Sequence, residues 1–270
     1  TRFAIAALNL GEPRRICNAL TTEAVYMAVS GKADSRYARK LLKAAEALLE
    51  EKKDPVVECH LRGCKMLSAF MAGHWRDAHA HALEGEALSL KNRGMAYERG
   101  LARFFQICSL WYLGELAELE RRVPEMAQDA QSRGDLYAGS GLVLGLMNVV
   151  FLNREGPDAA RQRIDSMMEC WPLKDYQLQH YDALLARTQI DLYLGKGQRA
   201  LDRVDKDWKP LRKSFLLTVP GVSSEALHLR ARALLAAAAE IPEEQRSERK
   251  RLLRRAEKDA RRLEKIQLVW

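Results

Sequence analysis

The side chains best suited to metal chemistry lie close together near residue 60. His60 and Cys64 are four residues apart, which places them on one face of a helix, and Cys59 is adjacent. Two such side chains could contribute to a zinc site, but structural zinc sites use four converging ligands. Nothing in the pattern supplies the other ligands. We therefore interpret Cys59 and Cys64 as buried thiols and expect neither a metal nor a cofactor.

The sequence also lacks patterns for catalysis. His74, His79 and His81 have no serine or cysteine nucleophile beside them, and nothing favours a Ser/His/Asp triad. There is no glycine-rich phosphate loop, no H-R-D or D-F-G motif and no GxxxxGK(S/T) pattern. Lys196 lies between two glycines, but in a turn between helices with no preceding strand. We predict that this chain is not itself an enzyme and has no catalytic residue.

The composition indicates an ordered, helix-rich protein. Hydrophobic residues make up 47% of the 270 positions and charged residues 30%, with eight prolines and sixteen glycines. The longest nearly apolar stretch, residues 142–152, falls short of the roughly 20 residues that a membrane-spanning helix needs. Five scattered cysteines argue against a secreted disulfide framework and favour the cytoplasm. Residues 2–10 read as the end of a helix whose partner is missing, so we expect a fragment of a longer protein.

The clearest helical pattern runs from Tyr176 to Gly195 and carries two apolar stripes. At about 100° per residue, the first stripe comprises Leu178, Tyr181, Leu185, Thr188 and Leu192. The second stripe comprises Ala183, Ala186, Ile190 and Tyr193. The side that we expect to stay open carries His180, Leu184, Arg187 and Asp191. Two buried sides are typical of a helix inside a stacked array.

Turn residues recur at a nearly constant interval, which indicates a repeat. They follow the apolar helices in steps of 42, 41, 39 and 42 residues, at Gly31, Gly73, Gly114, Asn153 and Gly195. Each step can hold two helices joined by a tight turn with a left-handed cap. We place the units at about residues 12–53, 54–94, 95–134, 135–174, 175–215 and 220–266. The predicted fold is an all-α, right-handed superhelix, an α-solenoid of about six TPR-like antiparallel helix pairs forming one domain.

Prolines and glycines refine this prediction. Proline is tolerated in the first turn of a helix, so helix starts are expected at Pro13, Pro55, Pro157 and Pro242. Pro124 lies inside a helical pattern and is expected to break or kink it. Gly100 and Gly139 occupy matching positions, where two helices are expected to approach closely.

When the units are aligned, the open side of the helix at residues 176–195 and the equivalent sides of the other units together form a predicted binding surface. The residues expected to line it are Glu58, Arg62, Lys65, Arg99, Arg103, Gln106, His180, Leu184, Arg187 and Asp191. A concave surface rich in Arg and Lys would suit an acidic peptide, a phosphorylated segment or a nucleotide phosphate. Upstream domains of the same chain are another possible partner. The alternative is a solvated face with local pairs such as Arg187 with Asp191, four residues apart.

A basic helix is predicted near the end of the chain. Residues 246–265 hold ten Lys and Arg against four Asp and Glu, an excess of six that accounts for most of the formal charge of +8. The expected inner stripe is Leu253, Ala256, Ala260 and Leu263. No aromatic residue interleaves the arginines and no base-reading motif accompanies them. We therefore favour a solvated face, or docking to an acidic domain, over nucleic-acid binding.

Two sequence resemblances support the repeat. The run AGHWRDA at residues 72–78 resembles the turn into the second helix of tetratricopeptide repeats. QHY at 179–181 leading to LLARTQIDLY at 184–193 resembles the C-terminal helical-repeat region of large bacterial serine/threonine protein kinases. So do RVP at 122–124, RGDLYA at 133–138, EALHLRAR at 225–232 and DARRLE at 259–264. Together these segments are spread over residues 72–264.

The resemblance implies a function that the fragment alone does not carry. In that kinase family the ATP-dependent catalytic domain lies far upstream, so the resemblance transfers no catalytic residue to this chain. It implies a cytoplasmic, non-catalytic regulatory module that binds a protein or ligand and takes part in signal transduction. Similar arrays also follow the ATPase modules of bacterial (STAND-type) transcription regulators, where they act as sensors, and this is the alternative.

Overall fold

The computed structural model describes residues 2–32, 34–52, 54–92 and 94–266. Across these ranges all regular structure is helical and no β-strand occurs. The predicted all-α fold class is therefore confirmed. The chain forms two compact units, the first ending at Leu119 and the second beginning at Glu120.

The first unit contains six complete helices. They are α1 (Arg2–Leu10), α2 (Pro13–Met27), α3 (Arg36–Lys52), α4 (Pro55–Met71), α5 (Trp75–Lys91) and α6 (Ala96–Leu113). A π-helical turn, Ala28–Lys32, continues from α2. Helix α2 packs against α3 and α4, and α4 packs against α5 and α6. The core around α4, α5 and α6 is aromatic: the Phe70 ring makes edge contacts with Phe105 and Tyr112, and Trp75 stacks on Tyr112.

The second unit contains the remaining helices. They are α7 (Leu116–Ser132, which begins just before the boundary), α8 (Leu136–Val143), α9 (Asn148–Glu155), α10 (Pro157–Cys170), α11 (Leu178–Tyr193), α12 (Gly197–Lys213), α13 (Pro220–Glu240) and α14 (Arg246–Leu263). Helix α11 contacts α10, α12 and α13, and α13 also contacts α12 and α14. Packing between alternate helices, as well as between successive ones, is what stacked hairpins require. The right-handed superhelix and the TPR-like pairing stay predictions.

Most of the predicted helix ends are confirmed. Proline begins four helices, at Pro13, Pro55, Pro157 and Pro220, whereas Pro242 precedes a short 3-10 turn before α14. The left-handed turns expected at Gly31, Gly73, Gly114 and Gly195 have φ angles of 78°, 76°, 75° and 67°. The turn expected at Asn153 is wrong, since Asn153 lies within α9 and the chain turns at Gly156 (φ 86°).

The helix expected over residues 136–152 is interrupted. Leu144 is extended (ψ −176°) and Gly145 has a φ of 59°, so α8 ends at Val143. A 3-10 turn, Gly145–Met147, leads into α9. The buried Asn148 side chain donates a hydrogen bond of 3.0 Å to the Val143 carbonyl, which satisfies a helix-end acceptor inside the core. This break places Gly145 against α11.

Two further expectations about proline and glycine need correction. Helix α7 continues through Pro124 without a break. Proline has no N–H for the carbonyl four residues earlier, and that carbonyl, of Glu120, instead accepts a hydrogen bond of 2.8 Å from Arg154. Gly100 has no neighbouring atom within 4 Å of a Cβ position, so it marks no close helix approach. A close approach does occur at Gly197, where a Cβ would lie 2.3 Å from the Ala236 carbonyl carbon.

Candidate functional site

In the first unit, glutamates neutralise much of the predicted basic surface. Arg62 pairs with Glu84 at 2.7 Å, and Arg103 pairs with Glu86 at 2.7 Å. Lys65 pairs with a glutamate of α3, Glu46. Because α3 and α5 supply these carboxylates, the three cations are already balanced within the unit.

The other predicted residues of the first unit differ in exposure. Gln106 is buried (2% exposed), and its amide donates a hydrogen bond of 2.6 Å to Glu86, so its expected place on an open surface is wrong. The physical reason is that α5 packs over this side of α6. Glu58 and Arg99 are partly exposed, and neither forms an ion pair with a described residue. Among the described residues, Arg99 and Glu58 are therefore the charged members of this set that form no ion pair.

In the second unit, the predicted open side of α11 is largely covered. Leu184 is 2% exposed and Asp191 is 0% exposed, because α10 and α12 pack against this side of the helix. Arg187 pairs with Asp165 of α10 at 2.6 Å. The local-pair interpretation expected Asp191 as its partner, and that expectation is wrong. His180 caps the helix start, where its Nδ1 accepts a hydrogen bond of 3.2 Å from the Gln177 backbone. The prediction of an open face is thus wrong for Leu184 and Asp191.

Asp191 is instead the centre of an ion cluster. Its Oδ1 accepts from Arg161 Nη2 at 3.0 Å and lies 3.3 Å from Arg199 Nε. Its Oδ2 accepts a hydrogen bond of 2.9 Å from Arg203 Nε and also lies 2.9 Å from Arg203 Nη2. One buried carboxylate therefore meets three guanidinium groups, which come from α10 and α12. We call Arg161, Arg199 and Arg203 around Asp191 the arginine cluster.

A group of acidic and phenolic side chains lies at the other end of α11. The Tyr181 hydroxyl, on a side chain only 1% exposed, donates a hydrogen bond of 2.9 Å to Glu225 Oε2 of α13. The next residue, Asp182, lies against Gly145, where a Cβ would be 3.3 Å from its Oδ1. Asp182 and Glu225 are both partly exposed although protein surrounds them closely, so they line a recess. We call Tyr176, Tyr181, Asp182 and Glu225 the carboxyl recess.

The two carboxyl groups of the recess hold their protons unusually tightly. Burial, with a smaller contribution from the charge of Glu225, raises the pKa of Asp182 to about 8. Burial also raises the pKa of Glu225 to about 7, although the hydrogen bond from Tyr181 acts in the opposite direction. No described residue offers Asp182 a hydrogen bond or a salt bridge. At pH 7, Asp182 is therefore mostly protonated, and a cation entering the recess would ionise it.

Tyr176 adds a hydroxyl group without a partner. Its phenolic oxygen is inaccessible to solvent and has no hydrogen-bond partner among the described residues. Burial, followed by the charges of Asp207 and Asp182, raises the pKa of this hydroxyl. Its ring stacks on the His180 imidazole with centroids 5.6 Å apart. A buried hydroxyl without a partner costs about 1–3 kcal/mol.

Sequence reasoning missed the carboxyl recess, although α11 contains a signal for it. On the helical wheel Asp182 falls between the two apolar stripes, both of which are buried at Tyr181 and Ala183. A charged residue flanked by two buried stripes points inward and needs a specific neighbour. Glu225 and Tyr176 had no comparable signal, because Glu225 lies in the second turn of α13 and Tyr176 lies in a loop.

The cysteines and the basic helix are placed as follows. Cys59 and Cys64 are buried, as predicted, and burial raises the pKa of Cys64 to about 11. Cys64 Sγ lies 3.6 Å from His60 Nε2, and among the described residues no group of three His, Cys, Asp or Glu could hold a metal ion. The inner side of α14 differs from the expected stripe by one position, since the buried residues are Leu252, Ala256 and Asp259.

The shift in α14 has an electrostatic cause. Arg230 of α13 donates two hydrogen bonds, of 2.6 and 2.5 Å, to the Asp259 carboxylate. The Arg230 guanidinium also lies 3.5 Å from the centroid of the Trp208 ring. Because Asp259 is only 2% exposed, this pair turns Asp259 inward and leaves Leu253 40% exposed.

No family model matches the chain, and no curated protein matches its sequence. Among the described residues, no single helix has both the length and the apolar character to cross a membrane. The segments Leu136–Val143 and Gly145–Glu155 meet these criteria only as a pair, and they are bent by 54° at the break.

Proposed function

We propose that this chain is a non-catalytic interaction module that binds its ligand in the carboxyl recess. The observation that carries the proposal is Asp182, a recessed carboxyl group without a partner beside Glu225 and the unpartnered hydroxyl of Tyr176. Folding has placed these groups together at a cost, since each has lost water without gaining a full set of partners. Such a cost is typical of a site that is completed by a ligand.

The chemistry of the recess favours a protonated amine or a guanidinium group. Both are hydrogen-bond donors with a positive charge, and both would stabilise the ionised forms of Asp182 and Glu225. The ring of Tyr176 and the apolar side chains near Tyr181, including Leu216 and Val222, would accept the aliphatic part of such a ligand. A Lys or Arg side chain of a protein partner and a free diamine share this chemistry.

A chemical consequence of cation binding makes the proposal testable. Since Asp182 is mostly protonated at pH 7, binding of a cation should release protons, which calorimetry detects as a dependence of the heat on the buffer. The experiment titrates the chain with putrescine and with arginine methyl ester in PIPES and in HEPES. We expect binding with proton release, and we expect Asp182→Asn to reduce the release to the part that Glu225 contributes and to weaken binding at least tenfold.

A matched variant controls for charge and for folding. Asp205→Asn removes one carboxylate from an exposed pair with Arg255 in the same unit, and it should bind as the unmodified chain does. If neither amine binds, or if Asp182→Asn binds equally well, the carboxyl recess is not the ligand site.

We also propose that the parent protein is a multidomain bacterial serine/threonine protein kinase, in which ligand binding to this module is relayed to the upstream domains. The support is the sequence resemblance, which is carried by short segments between residues 122 and 264. Phosphoryl transfer from ATP by the full-length gene product, measured with and without the amine that binds best, tests this proposal. A gene product without kinase motifs upstream of this region would overturn it, whereas a DNA-binding domain there would favour the sensor array of a transcription regulator.

A further inference from the structure

The arginine cluster is a second candidate site, and its charge is opposite to that of the carboxyl recess. We infer that Arg161, Arg199 and Arg203 bind a phosphoryl group carried by a segment of another protein. The two sites share no residue, so this inference stands or falls independently of the proposed function.

The first argument is the charge balance. Asp191 is fully buried, and a single guanidinium is sufficient to neutralise it. The structure supplies three. Asp158 also lies 3.4 Å from Arg161, but its side chain is 97% exposed, so water screens that pair strongly. The charge of Asp207 also reaches Arg203. Three arginines against these carboxylates still leave a surplus of positive charge on the solvent side of the cluster.

The second argument is the exposure of the guanidinium groups. The side chains of Arg161, Arg199 and Arg203 are 21%, 52% and 26% exposed. Each guanidinium carries five N–H donors, and Asp191 takes at most two from each. Arg161 Nε is buried and has no hydrogen-bond partner among the described residues. The cluster therefore keeps unused donors, some facing solvent and one inside.

The third argument is preorganisation. Asp191 lies beneath the arginines and holds all three guanidinium groups at distances of 2.9 to 3.3 Å. A ligand that binds them does not have to order three flexible side chains first, which is a large part of the entropy cost of binding. The buried aspartate thus acts as a positioning residue for the cluster.

A phosphoryl group fits this arrangement better than a carboxylate does. Near pH 7 it carries a charge of roughly −1.5 to −2 and three strong acceptor oxygens. Its charge can balance the positive charge that remains on the cluster, and its oxygens match forked Arg donors. The cluster is formed by side chains of α10 and α12 on the surface of one unit, which a segment of another chain can approach.

Fluorescence anisotropy with a defined probe tests this inference. The probe is a fluorescein-labelled pentapeptide with a central phosphoserine, and its unphosphorylated form is the reference. We expect the phosphopeptide to bind at least tenfold more tightly than the reference. Arg199→Gln should weaken phosphopeptide binding by roughly tenfold or more, since a hydrogen bond to a charged group is worth about 1.5–3 kcal/mol.

The matched control is Arg255→Gln in α14. It removes the same charge from an exposed pair of the same unit, Arg255 with Asp205, and it should change the affinity less than twofold. Arg199 is half exposed, and Asp191 still pairs with Arg161 and Arg203 when Arg199 is replaced. Circular dichroism should therefore show an unchanged fold. Equal losses in Arg199→Gln and Arg255→Gln would mean nonspecific attraction and would overturn the inference.

The same assay separates two sources of the phosphoryl group. Inorganic phosphate is added as a competitor against the bound phosphopeptide. We expect displacement only at concentrations well above that of the peptide, because the flanking peptide adds contacts. Displacement by equimolar inorganic phosphate would identify a site for a free anion and would overturn the assignment to a protein segment.

Discussion

The carboxyl recess makes the stability of the chain depend on pH in a defined direction. The pKa of Asp182 is about 8 in the folded chain, against 3.8 for an ordinary aspartate. Between these values the folded state binds a proton that the unfolded state does not. Stability is therefore fully present at low pH and is lost as the pH rises through the folded pKa near 8. The variant Asp182→Asn, which is neutral at every pH, should lack this loss.

The size of the effect follows from the same pKa. Each pH unit between the two pKa values is worth about 1.36 kcal/mol. Because the loss levels off above pH 8, raising the pH from 6 to 9 should cost roughly 2–3 kcal/mol of unfolding free energy through Asp182. Because pH 6 is already about two units above the ordinary pKa of 3.8, the variant should be the more stable at pH 6 by roughly 3 kcal/mol. Between pH 6 and pH 9 this advantage of the variant should grow by roughly a further 2–3 kcal/mol.

Urea denaturation at pH 6, 7, 8 and 9 measures this difference. Buried histidines and cysteines also titrate over part of this range, but they are common to both proteins and cancel in the difference. Asp205→Asn is the control, because its partner Arg255 is exposed and its difference from the unmodified chain should stay constant within a few tenths of a kcal/mol. Parallel curves for Asp182→Asn and the unmodified chain would refute the reasoning and remove the main support for the carboxyl recess.

Three other expectations concern stability and can be measured by urea denaturation. Gly197→Ala should destabilise the chain by about 1–3 kcal/mol, because its Cβ would lie 2.3 Å from a backbone carbonyl carbon of α13. At Gly63 no atom lies within 4 Å of a Cβ position, so Gly63→Ala should instead stabilise the chain by up to about 1 kcal/mol. Arg230→Ala should cost roughly 3–5 kcal/mol, since it leaves a buried carboxylate without its partner; a cost below 1 kcal/mol would show that the pair is unimportant. Arg154→Ala should cost about 1 kcal/mol in the unmodified chain. In a chain that also carries Pro124→Ala the cost should be smaller, because the backbone N–H of residue 124 can then donate to the Glu120 carbonyl. Equal costs in the two chains would disprove the coupling.

Local signals in the sequence were enough to predict the helices. A proline fits only the first turn of an undisturbed helix, and a glycine with positive φ ends one, so Pro55 and Gly73 enclose α4 correctly. The two apolar stripes of α11 also predicted its burial at Tyr181 and Ile190. These signals depend on the backbone and on one helix at a time.

The candidate sites could not be predicted in the same way, because they depend on which helix covers which side. Nothing within α11 indicates that its third side meets α10 and α12, so Asp191 was interpreted as exposed. Its partners Arg161 and Arg203 lie 30 and 12 residues away. The break at Gly145 was missed for a related reason. The apolar pattern of residues 136–152 continues through it, and only the packing against Asp182 shows why the helix stops there.

Two aspartates on α11 illustrate how neighbours determine chemistry. Asp182 and Asp191 are nine residues apart on one helix, and both are held inside the second unit. Asp182 meets a second carboxyl group, a glycine and a phenol, none of which can balance a negative charge, so it retains its proton to about pH 8. Asp191 meets three guanidinium groups, whose combined positive charge exceeds its own negative charge.

The two environments therefore call for opposite ligands. The carboxyl recess gains when a positive charge enters, and the arginine cluster gains when a negative charge arrives. Since both sites are built on α11, a partner with a basic side chain and a phosphorylated residue could engage both ends of one helix. If it does, combining Asp182→Asn with Arg199→Gln should weaken such a partner by about the product of the two single losses.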